Sequence, residues 1–183
     1  MSVTAWGGPS DALGPSASGV CLRLKAAGVS DVVTVPDFVQ FSVHERLQSG
    51  IDGIRQIFAC TEDQAITTAA GLYLGGRRPI LMVQNQGLHK GLNSLRAICI
   101  DARIPLVFLV GQFGREQENM GHSTRESKRN VVRLTEPILE ACNVPYWALD
   151  DDDQLASLDH AFAHTSTAGG AAAVLVGRYT TWA

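Results

Sequence analysis

Short apolar runs rich in β-branched residues alternate along this chain with stretches of helical spacing, and no tight hairpin signal such as Asn-Gly joins two of those runs. Parallel neighbours in a sheet need a long crossover, whereas antiparallel neighbours can be joined by a two-residue turn. The alternation therefore predicts an α/β fold: a three-layer parallel sheet of about six strands with helices on both faces. Strands are expected over 31–36, 54–59, 79–83, 105–110, 145–149 and 171–176, and helices over 16–27, 38–48, 62–74, 88–101, 131–141 and 152–165. Gly75-Gly76 reads as a helix stop, and Pro137 as a first-turn or kink position. Residues 1–15, rich in Gly, Ser and Pro, read as a flexible arm whose Trp6 and Leu13 are free to dock on a neighbour. Residues 16–183 then form a single domain. A polar break over 111–130 is too long for an ordinary connection, which makes it a functional loop or a solvated surface loop.

A hydrophobic content of 45% supplies a real core for 183 residues. A net charge of −3 gives no basic face for nucleic acid. Cys21, Cys60, Cys99 and Cys142 are widely spaced with no CxxC pair, and read as buried reduced thiols. The start lacks a basic, apolar leader and no apolar run reaches membrane-spanning length. The expectation is a soluble cytoplasmic protein with no membrane partner.

Several common chemistries are missing. No GxGxxG opens the first helix, and there is no GxSxG elbow. His160 and His164 stand four apart without the HExxH acid and read as packing or surface residues. The run Asp150 to Asp153 reads as capping and solvation. No metal site is expected. What remains is the segment from Thr61 to Leu95. Glu62 opens an apolar small-residue helix, where the helix N-terminus favours a carboxylate, at the strand-to-helix edge where α/β sheets bind ligands. Gln84, Asn85 and Gln86 stand at the end of the next buried strand, where polar groups need a partner. Asp37 either caps a helix beginning at Phe38 or faces a ligand.

TEDQAITTAAGLYLGG, RRPILMVQNQGLHKGLNSL and RIPLVFLVG, with VPD at Val35 to Asp37, resemble the pyrimidine-binding domain of thiamine diphosphate enzymes. The likeness extends loosely through MGHSTRESKRNVVRLTEPILEACNVPYWALDDDD and spans most of residues 17–178; sulfopyruvate and phosphonopyruvate decarboxylases are the subgroup it is most similar to. The resemblance implies that Glu62 contacts the pyrimidine N1′ of thiamine diphosphate and stabilises the imino tautomer, whose N4′ takes the thiazolium C2 proton. It implies Gln84, Asn85, Gln86 and Gly87 beside the cofactor and Asp37 beside the reacting carbon, so Glu62 and Asp37 are the expected catalytic pair. His89-Lys90 stands where the family has Gly-Asn, which makes His89 a candidate substrate or proton-transfer residue. Arg115, His122 and Arg125 in the polar loop, near Lys128 and Arg129, are candidates for an oxyanion clamp on substrate, opposed by Glu116, Glu118 and Glu126. The family's Gly-Asp-Gly motif, which holds the cofactor's diphosphate through Mg²⁺, does not occur here. The implied protein is thus the pyrimidine-binding subunit of a 2-oxo acid decarboxylase. Its partner would be a separate beta-type subunit that carries the diphosphate and Mg²⁺ domain, and the chain is expected to form a homo-oligomer. A carboligating subunit similar to acetohydroxy acid synthase, or a non-catalytic regulatory or assembly subunit, stands as the alternative.

Overall fold

The computed structural model describes residues 14–182. The elements run α1 (Ala17–Ala26), β1 (Asp31–Thr34), α2 (Phe41–Gln48), β2 (Arg55–Phe58), α3 (Glu62–Leu74), β3 (Pro79–Gln84), α4 (Asn85–Lys90) and α5 (Leu92–Ser94). A π-helical stretch (Leu95–Asp101) leads to β4 (Leu106–Gly111), followed by α6 (Asn130–Arg133), α7 (Thr135–Ala141), β5 (Tyr146–Leu149), α8 (Ala156–Ala168) and β6 (Ala171–Val176). The six strands lie in the order β2-β1-β3-β4-β6-β5, and every neighbouring pair is parallel. The expected α/β architecture is therefore present.

The period of two along each strand divides the apolar residues between two cores. In β3, Ile80 and Met82 join Leu24 of α1, Val43 and Leu47 of α2, and Leu158 of α8 on one face. Leu81 and Val83 join Ala65, Ile66 and Ala69 of α3, with Cys99 and Leu139, on the other. Strands buried on both faces explain why these segments read as continuous apolar runs rather than alternating ones.

Element boundaries shift for local reasons. The helix expected from 38 starts at Phe41, because Asp37 forms a turn in which its Oδ1 accepts the Val39 N–H at 2.8 Å. The helix expected over 88–101 begins at Asn85 and changes character at Gly91, which closes α4. It continues as a π-helix in which the Ala102 N–H reaches the Ala97 carbonyl. Gln84 is thus the last residue of β3, and Asn85 and Gln86 begin α4 rather than ending the strand. The helix over 131–141 is interrupted at Leu134, and Pro137 lies in the first turn of α7, where its missing N–H costs no bond. Gly75 caps α3, and Gly76 turns the chain at φ +78°. Cys21 and Cys99 are buried, and burial pushes both thiols up to about 12. Cys60 departs from expectation and is exposed in the turn before α3. Trp6, Leu13 and most of the expected arm lie outside the described residues. Within the described part, the Pro15 carbonyl accepts the Thr181 N–H at 3.0 Å, and Ala17 donates to the Thr181 carbonyl at 2.9 Å.

Asp31 opens β1 with its carboxylate fully buried. Arg55 Nε lies 2.6 Å from one oxygen and Arg77 Nε 2.8 Å from the other. Burial alone would raise this carboxyl, but hydrogen bonds from Arg77, Ser30 and Arg55 outweigh it and hold it below the usual carboxylate range. Asp31→Asn should destabilise the fold by about 1–3 kcal/mol, because both guanidinium groups can turn toward water while the buried amide keeps only part of the bonding. With the folded pKa depressed, this contribution is present above about pH 4 and is lost as pH falls through the folded value. Urea denaturation of both proteins should show the difference at pH 7 and its progressive loss below pH 4.

Candidate functional site

The chain leaves β1 toward β2 on one side of the sheet and enters β3 on the other, so strand order reverses between β1 and β3. In open α/β sheets the crevice at the carboxyl ends of such strands is the usual ligand position. Three sequence-selected groups are at this edge: Asp37 after β1, Glu62 after β2 and Gln84 at the end of β3.

Glu62 is the first residue of α3. The Thr61 hydroxyl caps that helix by accepting the Gln64 N–H at 3.3 Å. This leaves the Glu62 side chain free to point across to α4, where it lies directly on Gly87. A Cβ on residue 87 would sit 2.5 Å from Glu62 Cγ and 2.6 Å from its Oε1. Gly91, one turn later, would bring a Cβ within 2.8 Å of Ile66 Cδ1. The two glycines let α4 cross α3 at backbone distance. The Glu62 side chain is only 15% exposed, and its nearest cation is Lys90 Nζ at 3.7 Å. No hydrogen-bond donor among the described residues reaches its carboxylate. A mostly buried carboxylate that lacks a donor suits a ligand that brings its own N–H.

Asp37 is buried and held from several sides. Gln40 Nε2 donates to Oδ2 at 2.6 Å and the Val39 N–H to Oδ1. Gln84 and the backbone of Gly111 also lie against it. Burial outweighs these bonds and pushes the Asp37 carboxyl up, favouring its neutral form. Gly111 is indispensable here, since a Cβ there would lie 2.0 Å from Asp37 Oδ2. Behind Asp37 stands His44, whose Nε2 accepts the Asp37 N–H at 3.0 Å. That bond places the imidazole proton on Nδ1, which lies 2.6 Å from Gln56 Nε2; turning the amide over would set its carbonyl oxygen there to accept that proton. Burial lowers His44 to about 4 and keeps the ring neutral.

Asp37, His44 and Gln84 line a cavity of about 250 Å³ with Phe38, Phe41 and Phe58. Those aromatic side chains face outward. Phe38 is 59%, Phe41 49% and Trp182 60% exposed, and Phe41 meets the Trp182 ring edge-on at 5.9 Å. The carboxyl edge therefore combines a polar floor with an uncovered aromatic rim.

The remaining candidates divide. Asn85 is fully buried and structural: its Nδ2 donates to the Phe113 carbonyl at 3.1 Å and its Oδ1 accepts the Gln86 N–H at 2.9 Å. Gln86 is exposed. His89 is half-buried, and its Nε2 has no hydrogen-bond partner. The structure does not bring the loop cations together. The Arg115 guanidinium is buried, bonded to Asp150 Oδ1 at 2.9 Å, to Asn119 and to the His122 carbonyl. It braces the loop rather than facing a cleft. Arg125 pairs with Glu140 and Glu136, and His122 lies 3.8 Å from Glu126. Asp150 is correspondingly not a solvated acid, whereas Asp151 does cap the turn after it, accepting the Asp153 N–H at 3.1 Å. His160 and His164 pack around Trp147 at 6.2 and 6.3 Å, and the described residues contain no cluster of three or more His, Cys, Asp or Glu side chains placed to hold a metal ion. Lys90, Gly111, Gln40 and His44 escaped the sequence reading. Only Lys90 left a signal there, as half of the His89-Lys90 departure.

Gly87→Ala should destabilise the domain by about 1–3 kcal/mol, the range for overpacking. If the cost arises on Glu62, Gly87→Ala with Glu62→Ala should be more stable than Gly87→Ala alone, a non-additivity that thermal unfolding of the single and double variants would measure.

Residues 17–132 match the family described as "Thiamine pyrophosphate enzyme, N-terminal TPP binding domain". The alpha subunit of sulfopyruvate decarboxylase from Methanococcus maripaludis is 27% identical, over 70% of this chain and 73% of that protein. The corresponding subunit from Methanothermobacter thermautotrophicus is 27% identical over 72% and 76%. Phosphonopyruvate decarboxylase from Streptomyces viridochromogenes is 30% identical over 72% of this chain but only 32% of its own length. No helix among the described residues is long and apolar enough to cross a membrane. With an all-parallel six-stranded sheet, Glu62 at its carboxyl edge and this match, the chain belongs to the family of thiamine pyrophosphate enzyme N-terminal, cofactor-binding domains.

Proposed function

We propose that this chain is the pyrimidine-binding subunit of a thiamine diphosphate-dependent 2-oxo acid decarboxylase. The observation that carries the reading is Glu62: a mostly buried carboxylate without a hydrogen-bond donor, packed on Gly87 at the sheet edge. The bound cofactor supplies the carbanion chemistry that stabilises the electron pair left when CO₂ departs. Glu62 would hold a proton in common with the pyrimidine ring nitrogen, in a site where charge-assisted hydrogen bonds are strong. Gln84 and Gly87 would border the ring. Asp37, at the floor of the crevice where burial favours its acid form, would face the reacting carbon or its oxygen. His89, with Nε2 free of any partner, would face the substrate. The buried or paired state of Arg115 and Arg125 argues against a role for them on a substrate oxyanion unless the loop rearranges.

A partner would complete the site. The relatives that match over most of their length are named as alpha subunits, and the aromatic rim at the carboxyl edge is the kind of apolar patch that another chain covers. A beta-type subunit holding diphosphate and Mg²⁺ fits this reading, with a homo-oligomeric association of the chain itself and a cytoplasmic location. The second reading is a non-catalytic assembly subunit. Lys90 favours it, because an ammonium beside Glu62 competes with the ring nitrogen for the same carboxylate.

In the complex reconstituted with its partner, Glu62→Gln should lower turnover by roughly 10²–10⁴-fold, the usual cost of losing a positioned acid–base group. The exposed Glu118→Gln should be nearly silent. Exchange of the cofactor C2 proton, followed by NMR, should slow in the first variant alone. Unchanged exchange in both would reduce Glu62 to a helix-end charge and leave the assembly reading.

A further inference from the structure

The opposite edge of the sheet, where the strands begin, has a different chemistry. Arg55 opens β2, Arg77 and Arg78 immediately precede β3, and Arg103 stands shortly before β4. One acid, Asp31, opens β1 among them, buried and paired with Arg55 and Arg77. Arg78 has no such partner. No carboxylate among the described residues lies within ion-pair reach of it. Its guanidinium is instead set over the Phe162 ring of α8, 5.6 Å from the centroid. A cation fixed on an aromatic face is held in place and partly stripped of water, yet its charge stays unneutralised.

Arg78 and Phe162 belong to the wall of a cavity of about 540 Å³, about twice the size of the one beside Asp37. Arg77 and Tyr73 also line it, with Val107 and Pro105 giving it an apolar side, and no acid does. The Tyr73 phenol has no hydrogen-bond partner among the described residues and can donate into the cavity. The Ser166 hydroxyl is already turned to the Phe162 carbonyl at 2.8 Å and is not a competing donor. A volume of this order suits a small organic ligand. The balance of an unpaired guanidinium and a free phenol against an apolar wall specifies the kind: an oxyanion on a compact apolar body.

We propose that this cavity is a second ligand site, distinct from the crevice at Glu62, which binds a small organic anion. The oxyanion group, whether carboxylate, phosphate or sulfonate, would sit on Arg78 with Tyr73 as the second donor. The apolar body would lie along Pro105 and the partly exposed Tyr73 ring. Arg77 adds charge at the rim while remaining paired with Asp31.

The test uses amide NMR of the full chain titrated with phenyl phosphate, with benzenesulfonate, and with benzyl alcohol as the neutral counterpart. The expected result is saturable shifts at Arg78, Thr165 and Ser166 with both anions and at least tenfold weaker binding of the alcohol. Arg78→Gln should weaken both anions at least tenfold while the spectrum otherwise shows a folded protein. Ser166→Glu, an exposed change that places an acid at the cavity, should do the same and serves as the independent variant. Absence of saturable shifts there, equal binding of the alcohol, or undiminished anion binding in both variants would overturn the proposal.

Discussion

The carboxylate of Glu62 occupies the volume that any side chain at residue 87 would need, and that exclusion fixes much of the site. Because residue 87 is bare, α4 can approach α3 closely enough for Gly91 to settle on Ile66. Because α4 is held there, β3 ends at Gln84 and directs that side chain to Asp37. The carboxylate in turn is confined to one side by Gly87 and met on another by Lys90. A helix N-terminus alone would attract a carboxylate without aiming it. The contact with α4 supplies the aim.

A second exclusion operates one strand away. Asp37 rests on Gly111 as Glu62 rests on Gly87, so two carboxyl groups on neighbouring connections each require a glycine from an element later in the chain. Their surroundings differ. Asp37 lies in a closed network of amides and backbone, where burial favours the neutral acid. Glu62 sits at a helix start beside an ammonium group.

The fold and the position of Glu62 were legible because both depend on local pattern. Apolar runs that lack hairpin turns leave a parallel sheet as the consistent arrangement, and Thr61-Glu62 before a small-residue helix announces an N-terminus. The network around Asp37 was not legible, since His44, Gln56, Gln84 and Gly111 meet only through tertiary packing. The loop cations misled for the same reason. Arg115 has the composition of a substrate clamp, but its guanidinium is enclosed by Asp150, Asn119 and the His122 carbonyl, partners up to 35 positions away. Composition carries charge, not pairing. The break at Gly91 was hidden because a lone glycine within helical spacing reads as tolerated, whereas here it marks where two helices touch.

The π-helical stretch from Leu95 to Asp101 has a bearing on how the chain length can vary. Its hydrogen bonds close wider rings than those of an α-helix, as in the Ala102 N–H reaching back to Ala97, so it stores surplus backbone between two fixed points. One point is the contact of α4 with α3 and the other is the start of β4. Removing a residue from this stretch would let it tighten toward α geometry while both anchors stayed in place. The segment is thus a length adjuster: a change of one residue within it could be absorbed while α4 and β4 keep their registers.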